Sequence, residues 1–91
     1  MEKKTYKVII SEKAKKQLHK LDRYTFTIIT QWIKKNLENC EDPRAKGKGL
    51  TANRSGEWRY RVGDYRILAE IQDNIVTILI LEVGHRNKVY N

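Results

Sequence analysis

The ninety-one residues include one cysteine and one proline. With Cys40 as the only thiol, neither an internal disulfide nor a thiolate metal cluster can form, and its place in a polar turn argues against a nucleophile. Long hydrophobic runs are absent too. The longest apolar stretch, Ile75 to Leu81, is broken by Thr77 and falls far short of the roughly 20 residues that span a bilayer. Between Met1-Glu2-Lys3-Lys4-Thr5 and the first strand pattern no apolar leader intervenes, so cytoplasmic residence without a membrane is expected. Repeats and low-complexity segments are missing. What remains, with 40% hydrophobic side chains, suits one domain over residues 1–91 with a small core.

Acidic residues are also scarce. Nineteen Lys and Arg against eleven Asp and Glu leave a net charge of +8, which favours a polyanionic partner such as nucleic acid, or an acidic protein.

From Thr5 to Ser11, Tyr6, Val8 and Ile10 alternate with polar residues, the period of a strand with one buried face. Ser11 is a good N-cap for a helix through Lys20, with Ala14, Leu18 and Leu21 on its inner stripe. Lys13, Lys16 and Lys20 make a basic ridge on another face of that helix. A second helix is expected from Asp22 to Leu37, with Phe26, Ile29, Ile33 and Leu37 on one stripe and Ile28 and Trp32 beside it. Residues Asn39 to Ser55, polar and carrying the one proline, read as a long mobile loop whose spaced cations Arg44, Lys46, Lys48 and Arg54 suit RNA binding; Leu50 either anchors this loop or adds a short strand. Trp58 to Val62, a turn at Gly63-Asp64 and Tyr65 to Gln72 form a hairpin, and Asp73-Asn74 turns into a central strand from Ile75 to Val83, followed by a polar tail from Gly84. The fold class expected is α+β: a strand, a two-helix hairpin and an antiparallel three-stranded meander, in one mixed sheet of about four strands packed on two helices.

Because side chains alternate across a strand, Arg59 and Arg61 share one face, and Arg66 on the neighbouring strand lies close to them. Three converging guanidiniums repel one another unless an anion such as phosphate sits between them, or unless Glu57, Asp64 or Glu70 pairs with them. The end of the chain adds His85, Arg86 and Tyr90. Metal-free RNA cleavage requires a base for the ribose 2′-hydroxyl, cations for the phosphate and an acid for the leaving oxygen. Arginine stays protonated, so Arg59, Arg61, Arg66 and Arg86 bind and stabilise, and the proton carrier is to be sought among Lys48, His85 and Tyr90.

The run Gly56-Glu57-Trp58-Arg59-Tyr60-Arg61-Val62-Gly63-Asp64-Tyr65-Arg66-Ile67-Leu68, then Glu82-Val83-Gly84-His85-Arg86 and Val89-Tyr90, resembles the RelE branch of the RelE/ParE toxins, in particular the RelE proteins of Gram-positive cocci. Strand one, the helical hairpin, Asp42-Pro43-Arg44 and Gly49-Leu50 look like that family as well. The resemblance implies a toxin that enters the ribosomal A site, cuts mRNA by 2′-hydroxyl attack and needs no cofactor or metal. It implies catalytic roles for Arg59, Arg61, Arg66, Arg86 and Tyr90, whereas Arg59 and Glu57 stand where some relatives have lysines. It also implies an acidic RelB-like antitoxin in a heterotetramer or larger complex, with Lys13, Lys16 and Lys20 facing either ribosomal RNA or that antitoxin. A ParE-like gyrase poison without RNA cleavage, and a non-catalytic RNA-binding module, are the competing expectations.

Overall fold

A computed structural model describes residues 4–50 and 56–85. The elements in chain order are β1 (Lys7–Ile10), α1 (Glu12–His19), α2 (Arg23–Asn36), β2 (Lys48–Gly49), β3 (Glu57–Val62), β4 (Tyr65–Gln72), a 3-10 turn (Asp73–Ile75) and β5 (Thr77–His85). They form a five-stranded sheet in the order β1-β5-β4-β3-β2, in which only the β1–β5 pair is parallel. The α+β class and the mixed sheet match expectation; the fifth strand is the two-residue β2.

Both helix starts are chemical stops for the preceding backbone. The Ser11 side chain accepts from the Ala14 N–H and its hydroxyl donates to the Leu81 carbonyl, each at 3.1 Å, so one side chain caps α1 and ties it to β5. Asp22 caps α2 by accepting from the Thr25 N–H at 3.1 Å. The core lies between the helices and one sheet face: Ala14, Leu18, Ile29, Ile33 and Leu37 meet Tyr60, Ile67, Ala69, Ile78, Ile80 and Val83. Among the described residues the opposite sheet face carries no helix, and Leu68 on it is nevertheless fully buried outside that core.

Sheet edges are guarded by side chains. Glu38 accepts from the Val8 N–H at 3.1 Å on β1, and past the end of β1 the Gln17 amide oxygen takes the Val83 N–H at 2.7 Å.

Three expectations are corrected. The last strand begins at Thr77, because Val76 adopts a left-handed backbone (φ 48°) that interrupts an extended chain and leaves Ile75 exposed before it. The same strand continues through Gly84 and His85, which pair with Arg66 and Tyr65 and so do not belong to a tail. The segment read as a mobile loop is anchored through most of its described part. Tyr60 donates to the Pro43 carbonyl at 2.5 Å, Trp58 Nε1–H to the Lys46 carbonyl at 2.6 Å, and Leu50 N–H to the Glu57 carbonyl at 2.9 Å.

Candidate nucleic-acid interface

The hairpin of β3 and β4 sets the positions of the arginines. Arg61 is directly across from Arg66, Arg59 from Leu68, and Lys48 of β2 from Arg59. Tyr60, Val62 and Ile67 turn into the core, so Arg59, Arg61 and Arg66 share the helix-free face. Leu68, between Arg66 and Glu70 on β4 and opposite Arg59, is fully buried on that face. Carboxylates share the face too: Glu57 is opposite Glu70, and Glu82 is opposite Leu68.

At the edge of β3, beyond the short β2, a cleft of about 450 Å³ is lined by Trp32, Lys46, Gly47, Lys48, Arg59 and Arg61. Four of those six residues are cations and none is acidic. Gly47 makes this possible. Its φ is +82°, and a Cβ there would lie 2.3 Å from the Arg59 carbonyl oxygen and 2.7 Å from Trp58 Nε1. Only glycine lets the chain lie that close to β3 and carry Lys46 and Lys48 past Arg59 and Arg61.

His85 lies elsewhere. Ala69 pairs with Ile80 and Leu68 with Glu82, so Leu81 is an extra residue, a β-bulge. Before it the even-numbered Ile78 and Ile80 face the helices; after it Val83 does. His85 therefore falls on the helix side, its ring edge-on to Tyr65 with ring centres 5.6 Å apart, in a second cleft with Gln17, Lys20 and Leu21.

The other cations divide by partner. Arg44, read as an RNA contact, grips Asp73 with both terminal nitrogens at 3.0 and 2.9 Å, while Tyr6 donates to the same carboxylate at 2.6 Å. That grip, with the Tyr6 hydroxyl helping, holds the Asp73 carboxyl down at about 2. The Arg44 guanidinium also sits 6.0 Å from the centre of the Trp58 ring. Its first role is thus to pin residues 41–47 to the β4–β5 turn. Lys13 pairs with Glu82 at 3.4 Å, whereas Lys16 and Lys20 are exposed on the same helix. Burial pushes the Tyr60 phenol well above its ordinary value, and burial also raises the Cys40 thiol, which keeps it protonated and poorly nucleophilic. Arg54, Arg86 and Tyr90 lie outside the described residues.

The alternation pattern left Trp32 and Glu82 unassigned to any site. Trp32 stands beside, and not within, the Ile29–Ile33–Leu37 stripe, which is the one sign that its indole reaches the helix margin. Among the described residues no cluster of His, Cys, Asp and Glu could hold a metal ion, and no helix is long and apolar enough to cross a membrane.

A sheet bearing cations on its open face and two helices on the other is the architecture of a toxin family. The sequence model of the family described as the ParE toxin of type II toxin-antitoxin systems matches residues 8–90, and the chain belongs to this family, within the RelE/ParE superfamily and on its RelE side. It is 32% identical over 85 residues to Toxin RelG of Mycobacterium tuberculosis, covering 93% of this chain and 95% of that one. Among solved structures it resembles the RelBE2 toxin-antitoxin complex of the same organism, with 32% identity, a TM-score of 0.82 and coverage of 90% and 92%. It also resembles the archaeal RelE-RelB complex of Pyrococcus horikoshii, with 26% identity, a TM-score of 0.70 and coverage of 93% and 99%.

Proposed function

We propose that this toxin is a ribosome-dependent endoribonuclease that cuts mRNA in the A site by attack of the ribose 2′-hydroxyl, leaving a 2′,3′-cyclic phosphate and arresting translation. The observation that carries the reading is the convergence of Arg59, Arg61 and Arg66 on one open sheet face beside Lys46 and Lys48. Permanently charged guanidiniums bind the scissile phosphate and stabilise the charge that builds on it, a task that needs no cofactor. None of them can accept the 2′-hydroxyl proton. Of the proton carriers expected, Lys48 lies across from Arg59 while His85 is turned to the helix side, which favours Lys48 over His85; Arg86 and Tyr90 keep the roles the family resemblance implies.

The partner proposed is an acidic antitoxin, supported by the +8 charge and by relatives whose structures are toxin-antitoxin complexes, in a heterotetramer or larger assembly in the cytoplasm. Lys16 and Lys20 then face ribosomal RNA or the antitoxin.

Purified toxin added to ribosomes carrying a defined mRNA should cut within the A-site codon, and Arg61→Ala or Arg66→Ala should slow cutting about a hundredfold with little change in thermal stability. Intact mRNA on actively translating ribosomes would refute the proposal. The match to the ParE family favours one second reading, a gyrase poison, which DNA damage with intact transcripts after induction would select.

A further inference from the structure

We infer that the cleft at the β3 edge is a nucleotide subsite, in which the Trp32 indole stacks on one base of a single RNA strand while Lys46, Lys48, Arg59 and Arg61 hold the phosphates beside it. This deepens the ribonuclease reading and rests on it for the choice of RNA.

Three observations carry it. First, four cations line one cleft of about 450 Å³, within the roughly 300–1,000 Å³ range of small-ligand sites, and among the described residues no carboxylate lines it with them. A cleft with this lining suits an anion of several charges. Second, the one large apolar group among them is an indole. Trp32 leans on Tyr60, with ring centres 5.6 Å apart at 54°, so α2 and the core fix its orientation while part of the side chain lines the cleft. A cationic groove with a fixed aromatic surface is how single strands are held without base-edge readout. Third, the backbone that carries the two lysines is held in place from behind. Trp58 Nε1–H binds the Lys46 carbonyl at 2.6 Å, and Gly47 presses on β3 between the two lysines. An acidic protein segment would use the lysines and arginines but has no comparable use for the indole, so RNA is the better fit.

The test uses the intact toxin, a fluorescent 2′-O-methyl RNA pentamer that cannot be cut by 2′-hydroxyl attack, and tripolyphosphate as an anion without bases. Trp32→Leu should weaken pentamer binding about tenfold and leave tripolyphosphate binding unchanged; Trp32→Phe should retain most of the pentamer affinity. Lys46→Ala with Lys48→Ala should weaken both ligands. Equal weakening of both ligands by Trp32→Leu in a protein with wild-type melting, no weakening of either, or displacement of the pentamer by oligoglutamate at equal charge with no dependence on Trp32, would each overturn the subsite. Because Trp32 also packs on Tyr60, a second readout needs no substitution: the Trp32 indole N–H resonance of the wild type should shift on pentamer addition, and its staying put overturns the inference. Binding of the pentamer requires neither ribosomes nor cleavage. Uncut mRNA on ribosomes together with Trp32-dependent pentamer binding would therefore remove the nuclease and keep the subsite.

Discussion

Replacing Gly47 by Ala tests whether the cationic cleft depends on one point of close approach. Two contributions can be separated. The residue has φ +82°, where an L side chain costs about 1–2 kcal/mol, and the new Cβ would lie 2.3 Å from the Arg59 carbonyl oxygen, 2.7 Å from Trp58 Nε1 and 3.0 Å from a Tyr60 ring carbon. None of these neighbours is the far end of a flexible side chain. The carbonyl belongs to β3, Trp58 is tied to the Lys46 carbonyl, and Tyr60 is fully buried with its hydroxyl on Pro43. The loop must lift instead, and losing the Trp58–Lys46 bond adds on the order of 1 kcal/mol, for a total of roughly 2–3 kcal/mol. Gly63 provides the control: its φ is +60°, and nothing lies within 4 Å of an added Cβ, so only the conformational cost of about 1–2 kcal/mol applies. For a domain of this size each kcal/mol lowers the melting temperature by about 4–8 °C. Thermal unfolding should therefore place Gly47→Ala below Gly63→Ala by several degrees, and tripolyphosphate binding should weaken markedly in the first, because Lys46 and Lys48 move with the loop. Equal melting temperatures with wild-type anion binding in both variants would refute the reasoning.

Asp73→Asn should alter stability in acid: Arg44 depresses the folded carboxyl to about 2 from an ordinary 3.8, so its contribution is present above about pH 4 and fades as pH falls toward 2. Melting curves across that window should fall less steeply for Asp73→Asn than for the wild type, and identical slopes would count against the Arg44–Asp73 tie. Ser11→Ala removes both the cap on Ala14 N–H and the bond to the Leu81 carbonyl and should cost about 1–3 kcal/mol by urea unfolding at unchanged m-value; a loss within error would mean that water replaces both bonds.

Much of the framework was legible because it rests on short-range periodicity. Ser11 acts as the cap expected, α2 covers all but the two end residues of the expected Asp22–Leu37 span with its Ile29–Ile33–Leu37 stripe inward, and β4 runs from Tyr65 to Gln72. The arginine face was legible for the same reason: alternation along β3 and a two-residue turn bring Arg61 opposite Arg66 without any long-range knowledge. Properties that depend on residues far apart in the chain were not. Nothing near Arg44 in the sequence announces Asp73, twenty-nine positions away, and nothing near Pro43 announces the hydroxyl of Tyr60. These contacts turn a polar, glycine-bearing stretch from an expected mobile loop into an anchored one.

The bulge at Leu81 has the largest chemical consequence. Continued alternation from Ile78 and Ile80 would carry His85 to the helix-free face with Arg66, its near neighbour on β4; the extra residue reverses the phase and sends His85 to Tyr65 instead. The imidazole, the residue type best suited to proton transfer near neutrality, is thereby separated from the cations that suit phosphate. On the function proposed above the anchored loop offers the replacement, because the ties of Tyr60 to Pro43, Trp58 to Lys46 and Arg44 to Asp73 hold the backbone of Lys48 across from Arg59. Backbone fixed in advance leaves only the side chains to order when phosphate arrives, which favours stabilisation of developing charge. The contacts that fix residues 43–49 are therefore as much a part of the proposed chemistry as the charges they position.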